Sequence, residues 1–82
     1  PRKFREKELH LKLVIGDKAK IASIISLIEH HNIAIKSVRI KDLAANHLVQ
    51  LRTTVDNKRR ITDVYYSVSE IEGIMSIEIE NA

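Results

Sequence analysis

The chain changes its hydrophobic period at Gly16 and Asp17, and no other feature constrains the fold as much. Before that point Leu9, Leu11, Leu13 and Ile15 take every second position, with His10, Lys12 and Val14 between them. That is the pattern of a strand with one buried face. After it Ile21, Ile24, Ile25 and Ile28 recur at i, i+3, i+4 and i+7, which draws one apolar stripe along a helix and leaves Lys20, Ser23, Ser26 and Glu29 off it. Gly16 interrupts the strand, and Asp17 is placed to accept a bond from a free backbone N–H of the first helical turn. His30, His31 and Asn32 close the helix, with Asn32 as the left-handed terminator.

The same change of period then repeats. IAIKSVRIK reads as a second strand, but Ile33 and Ile35 share one parity while Val38 and Ile40 share the other. Either a bulge near Lys36 and Ser37 returns all four to one face, or a partner subunit covers the strand's two faces at different points. DLAANH is a turn built on Asp42 and Asn46. Val49, Leu51, Thr53 and Val55 alternate as a third strand, and Asp56 or Asn57 is expected to cap a second helix. Its stripe is Ile61, Val64, Tyr65, Val68 and Ile71, and Gly73 stops it. In the last strand Met75, Ile77 and Ile79 are expected inward, against Ser76, Glu78 and Glu80 outward.

The order β-α-β-β-α-β, with right-handed crossovers and one apolar stripe per helix, predicts an α+β, ferredoxin-like fold. In it two helices cover one face of a four-stranded antiparallel sheet. The other face carries His10, Lys12, Gln50, Arg52 and Glu78, and meets water.

At 82 residues this is one domain near the lower limit for a self-sufficient core, a limit that oligomerisation relieves. Residues 1–7 read as a basic linker and 8–82 as the folded domain. A chain that opens on Pro1 and such a linker is expected to be a piece of a longer protein. With no Cys there is no disulfide or thiolate metal site, and a reducing compartment is expected. Net charge is +3, concentrated in PRKFREK and at Lys58, Arg59 and Arg60, which is too small a footprint to point to nucleic acid. The three basic residues near the start of the second helix oppose its dipole.

Function on this fold has to come from sites. RNA-recognition domains stack bases on aromatic residues of the middle strands, where this chain has His10, Lys12, Gln50 and Arg52. Metal chaperones of this topology need a Cys pair, and acyl-phosphate hydrolases need a Gly-rich loop with an Arg; GDKAK supplies neither. His30 and His31, about 100° apart on a helix, do not chelate one ion, and His10 and His47 add no ligand pattern, so no metal or cofactor is expected. Ser23 and Ser26 lack a matching His and carboxylate, so no catalysis is expected either. Tyr65 is expected in the core and Tyr66 beside it.

The run LVIGDKAKIASIISLIEHHNIAIKSVRI resembles the first half of an ACT domain, a regulatory module that opens with a strand, Asp-Arg-Pro-Gly-Leu and a helix. Asp17 matches the motif's Asp and Ile21 its Leu, and HHNIAI resembles the start of the family's second strand. VQLRTTV and EGIMSIEIE fit its later strands. The resemblance implies a ligand site at Gly16, Asp17, Lys18, Ala19, Lys20, Ile21, Asn32 and Ile33, taking an amino acid or another small anion. Lys18, Ala19 and Lys20 replace Arg-Pro-Gly, however, and Lys20 obstructs the close backbone approach that the family's Gly allows, while both lysines still attract an anion. It also implies a homodimer through residues 33–40 or through the first helix. Parent proteins in this family include metabolic and stringent-response enzymes and membrane proteins of the MgtC/SapB type. The basic leader and the missing Gly favour the last, with the domain on the cytoplasmic side and membrane helices elsewhere in the parent.

Overall fold

The computed structural model describes residues 5–82; residues 1–4 of the basic leader lie outside them. Strand β1 (Glu6–Ile15) leads through a 3-10 turn, Lys18–Lys20, into helix α1 (Ile21–Glu29). Strands β2 (Ala34–Asp42) and β3 (His47–Asp56), helix α2 (Ile61–Ser69) and strand β4 (Ile74–Asn81) follow. The strands form one antiparallel sheet in the order β2-β3-β1-β4, which is the expected ferredoxin-like arrangement. Pairing begins at Glu6, opposite Asp56, two positions inside the segment that reads as a linker.

Burial follows the two periods. Leu9, Leu11, Leu13 and Ile15 of the central strand are buried, as are Ile21, Ile24 and Ile28 of α1 and Val64 and Val68 of α2. Val49, Leu51 and Val55 complete the sheet's contribution. Thr53 shares that face at 0% exposure, because its hydroxyl donates to the Leu9 carbonyl at 2.9 Å and so carries no unpaired polar atom into the core.

The parity conflict in β2 is resolved by a bulge. The register shifts between Ile35 and Ser37, leaving Lys36 as the extra residue, so Ile35, Val38 and Ile40 stand opposite Thr53, Leu51 and Val49 on the helix-bearing face. Asn32 has a φ of 60°, the left-handed residue expected after α1.

Three expectations are corrected. A second register shift, between Val14 and Ile15, sets Ile74 opposite Ile15 and throws Met75 out to 65% exposure, so Ile74 takes the inward place. Asp56 remains in β3, and α2 begins after Arg60 with no side-chain cap from Asp56 or Asn57. Tyr65 is 46% exposed and packs edgewise on Tyr66 at 5.8 Å, because Ile61, Val64, Val68 and Ile71 fill the inward stripe and Tyr65 falls on its margin.

Candidate functional site

The turn after β1 is well ordered by its own bonds. Asp17 Oδ1 accepts from the Ala19 amide at 2.9 Å, the Lys20 amide donates to the Asp17 carbonyl at 3.0 Å, and the Ser23 hydroxyl donates to the Lys20 carbonyl at 3.0 Å. Gly16, Asp17, Lys18, Ala19 and Lys20 are exposed, and Ile21 is buried beneath them. Two residues after α2 crowd this turn. A Cβ on Gly16 would lie 3.2 Å from the Met75 sulfur, and one on Gly73 would lie 3.4 Å from Cδ of Lys20. The displaced Met75 therefore shields Gly16, and the stem of Lys20 rests against Gly73.

Asn32 and Ile33 are not part of that turn. They follow the other end of α1, about 13 Å away along a helix of this length, and Ile33 is buried while Asn32 is exposed. Within one chain the structure holds 16–21 together and keeps 32–33 apart from them.

At that second end stands a residue the sequence did not single out for this role. The Arg59 guanidinium donates to the carbonyls of His31 at 2.6 Å and Asn32 at 3.2 Å, and to the Ser67 hydroxyl at 3.3 Å. Its charge thus sits near the negative end of the α1 dipole and ties down the two carbonyls that follow the C-cap His30. The apparent misfit is explained for Arg59, which serves α1, while Arg60 remains at the α2 N-cap. Arg59→Met is expected to cost about 1–2 kcal/mol in urea denaturation, from charged hydrogen bonds lost at a partly exposed site. No change in the urea midpoint would show the contact to be idle.

The sheet edge at β2 is the other notable surface. Val38 and Ile40 lie on the core face by register, yet they are 44% and 52% exposed. Being on the sheet's outermost strand, they form an apolar ledge at its rim, and among the described residues β2 pairs with β3 alone.

The opposite sheet face is mostly polar, with Val14 and Leu48 paired on it as an apolar exception. Glu8 holds His10 Nε2 at 2.8 Å and Arg52 at 3.5 Å, and Lys12 pairs with Glu78 at 3.7 Å. The hydrogen bond from His10, aided by Arg52, keeps the Glu8 carboxyl below its ordinary pKa. A carboxylate with a lowered pKa favours the folded state at neutral pH, and that contribution disappears as the pH falls through the lowered value. His30 and His47 are engaged locally. His30 Nδ1 donates to the Ser26 carbonyl at 2.7 Å, and His47 Nδ1 meets Asp42 Oδ1 at 2.5 Å across the β2–β3 turn. Among the described residues no three His, Asp or Glu side chains gather as a metal site, and no helix is long and apolar enough to cross a membrane.

No protein-family model matches the chain. It is 29% identical to protein SapB of Bacillus subtilis over 82 residues, which are 98% of this chain and 35% of that protein. The chain thus spans about a third of that relative's length. Among solved structures, the ACT domain of GTP pyrophosphokinase from Chlorobium tepidum superposes with a TM-score of 0.71 at 15% identity, covering 94% of this chain and 89% of that one. The C-terminal domain of the MgtC protein from Mycobacterium tuberculosis superposes with a TM-score of 0.68 at 11% identity, covering 93% of this chain and 87% of that one. The fold is that of an ACT domain, and the sequence resembles SapB over nearly its whole length.

Proposed function

We propose that this chain is a non-catalytic regulatory module that pairs with a second copy of itself through β2, as one domain of a larger protein of the MgtC/SapB type, on the cytoplasmic side. The β2 edge carries this reading. Its outer N–H and C=O groups face no strand among the described residues, and Val38 and Ile40 stand half-exposed beside them. An edge of this kind recruits another strand, with backbone bonds giving affinity and side chains giving register. Helix α1 is the weaker candidate, since its large exposed apolar residue is Leu27 alone.

Antiparallel pairing of β2 with β2 of the second copy sets Val38 and Ile40 against their counterparts. It also turns the second copy end for end. Asn32 and Ile33 of that copy then lie towards the end of the sheet that carries 16–21, so residues far apart in one chain approach one another across the pair. This supports reading the turn as half of a shared ligand site for an amino acid or small anion.

Sedimentation velocity on the 82-residue chain tests the pairing. Wild type is expected as a dimer at tens of micromolar. Ile40→Glu places a charge on the ledge and is expected to weaken association by about 1.4 kcal/mol or more, at least tenfold in Kd, while keeping a cooperative thermal transition. A wild-type chain that stays monomeric at several hundred micromolar ends this reading.

A further inference from the structure

We infer that the paired β2 strands bind a polyvalent oxyanion on the open sheet face, and that this anion controls how tightly the two copies associate. The inference rests on pairing through β2 and adds a ligand and a regulation to it.

The two sides of β2 act in opposite senses. On the helix side Val38 and Ile40 favour contact with a second copy. On the open side the register places Ser37 beside Arg52, Arg39 beside Gln50 and Lys41 beside Leu48. These residues begin a shallow hollow of about 170 Å³ lined by His10, Ser37, Arg39, Gln50, Leu51 and Arg52. Arg52 is held in place, its Nε donating to the Ser37 hydroxyl at 3.3 Å and its other arm reaching Glu8 at 3.5 Å. Arg39 and Lys41 have no ion-pair partner among the described residues.

Glu8 is committed to His10 and Arg52. Of the other acidic groups on this face, Glu78 and Glu80 belong to β4 at the opposite edge, while Glu6 and Asp56 face each other about 20 Å along the strands from Gln50, the partner of Arg39. Three strand spacings separate the edges, about 14 Å. That exceeds the screening length of roughly 8–10 Å at ordinary ionic strength. The face is therefore cationic at the β2 rim and anionic at the β4 rim.

Antiparallel pairing brings the two cationic rims together. Arg39 and Lys41 of one copy fall opposite or diagonal to those of the other, and like charges at such positions oppose pairing. An oxyanion with two or more charges, seated across the two-fold axis, reverses that term. Guanidinium groups approaching from both sides bind its oxygens in pairs, a geometry that a chloride ion does not offer. Chloride screens the repulsion; a bridging anion replaces it with attraction. Since the site exists only in the pair, anion binding and association are linked and strengthen each other.

The test is sedimentation equilibrium of the chain at constant ionic strength, in chloride alone and with millimolar inorganic pyrophosphate as the probe. Pyrophosphate is expected to tighten the dimer by about tenfold. Arg39→Gln is expected to pair more tightly than wild type in chloride, because repulsion is removed, and to respond to pyrophosphate by less than about twofold. A dimer whose Kd is the same with and without pyrophosphate overturns the anion site and leaves β2 pairing standing. A pyrophosphate response that survives Arg39→Gln also overturns it, since the anion then binds elsewhere. A chain that is monomeric in every buffer overturns the pairing and the anion site together.

Discussion

Leu13→Ala is expected to lower stability by about 3 kcal/mol. In a domain of this size that moves the thermal midpoint down by roughly 12–24 °C. Leu13 lies in the central strand, fully buried, with Val49 on one side and Ile77 on the other. Among the described residues the core is aliphatic and both tyrosines lie at the surface, so none of these rings lines the space left behind. A domain of this length has about 4–12 kcal/mol of stability in all. One cavity at this position therefore removes a quarter of it or more. Circular dichroism in urea measures the loss, and Met75→Ala is the matched control. With Met75 at 65% exposure, its truncation is expected to cost under about 0.5 kcal/mol. Equal losses at the two positions would contradict the inward place given to Ile74 rather than Met75.

The second large effect is expected at Gly73. Its φ of +97° lies in a region that side chains avoid, and a Cβ there meets Ile24 Cδ1 at 3.3 Å and Lys20 Cδ at 3.4 Å. Gly73→Val combines backbone strain with a branched group pressed on the buried face of α1, for an expected loss of about 2–3 kcal/mol. Asn32→Gly provides the contrast. With a φ of 60°, Asn32 occupies the left-handed well itself, so glycine there is expected to change stability by less than about 1 kcal/mol. If Gly73→Val proves as neutral as Asn32→Gly in urea denaturation, the turn at Gly73 does not have the backbone described.

Much of the fold is legible in the chain because its two periods are clean. The run Leu9, Leu11, Leu13, Ile15 and the stripe Ile21, Ile24, Ile28 can each be buried in only one way, and the parity conflict between Ile35 and Val38 already contains the bulge. Met75 was misread because the strand's other irregularity follows directly on Gly73, before alternation has been established. Tyr65 was misread because a stripe defines a direction and not a width. Burial at the rim is a separate matter: Val38 and Ile40 have the inward parity, but parity does not reveal how far a helix extends over an edge strand.

The site was less legible than the fold. Asp17 as a cap follows from local chemistry, and its side chain caps the 3-10 turn Lys18–Lys20 that leads into α1, whose own N-cap is Lys20. The separation of Asn32 from Lys20 follows from helix rise, yet grouping residues by family motif concealed it. Arg59 bridges 27 and 28 positions to Asn32 and His31, and no pattern within either segment links them. The crossed charge of the open face likewise appears only once β2 and β4 are known to be opposite edges.

The irregularity in β4 has one more consequence. A sheet with unlike rims invites head-to-tail stacking, β2 of one molecule on β4 of the next, and such addition never closes on itself; it grows into a fibre. By jutting out at Met75, β4 interrupts the straight template that a docking strand requires. The same kink that lays Met75 over Gly16 thereby works against open-ended strand addition at this edge.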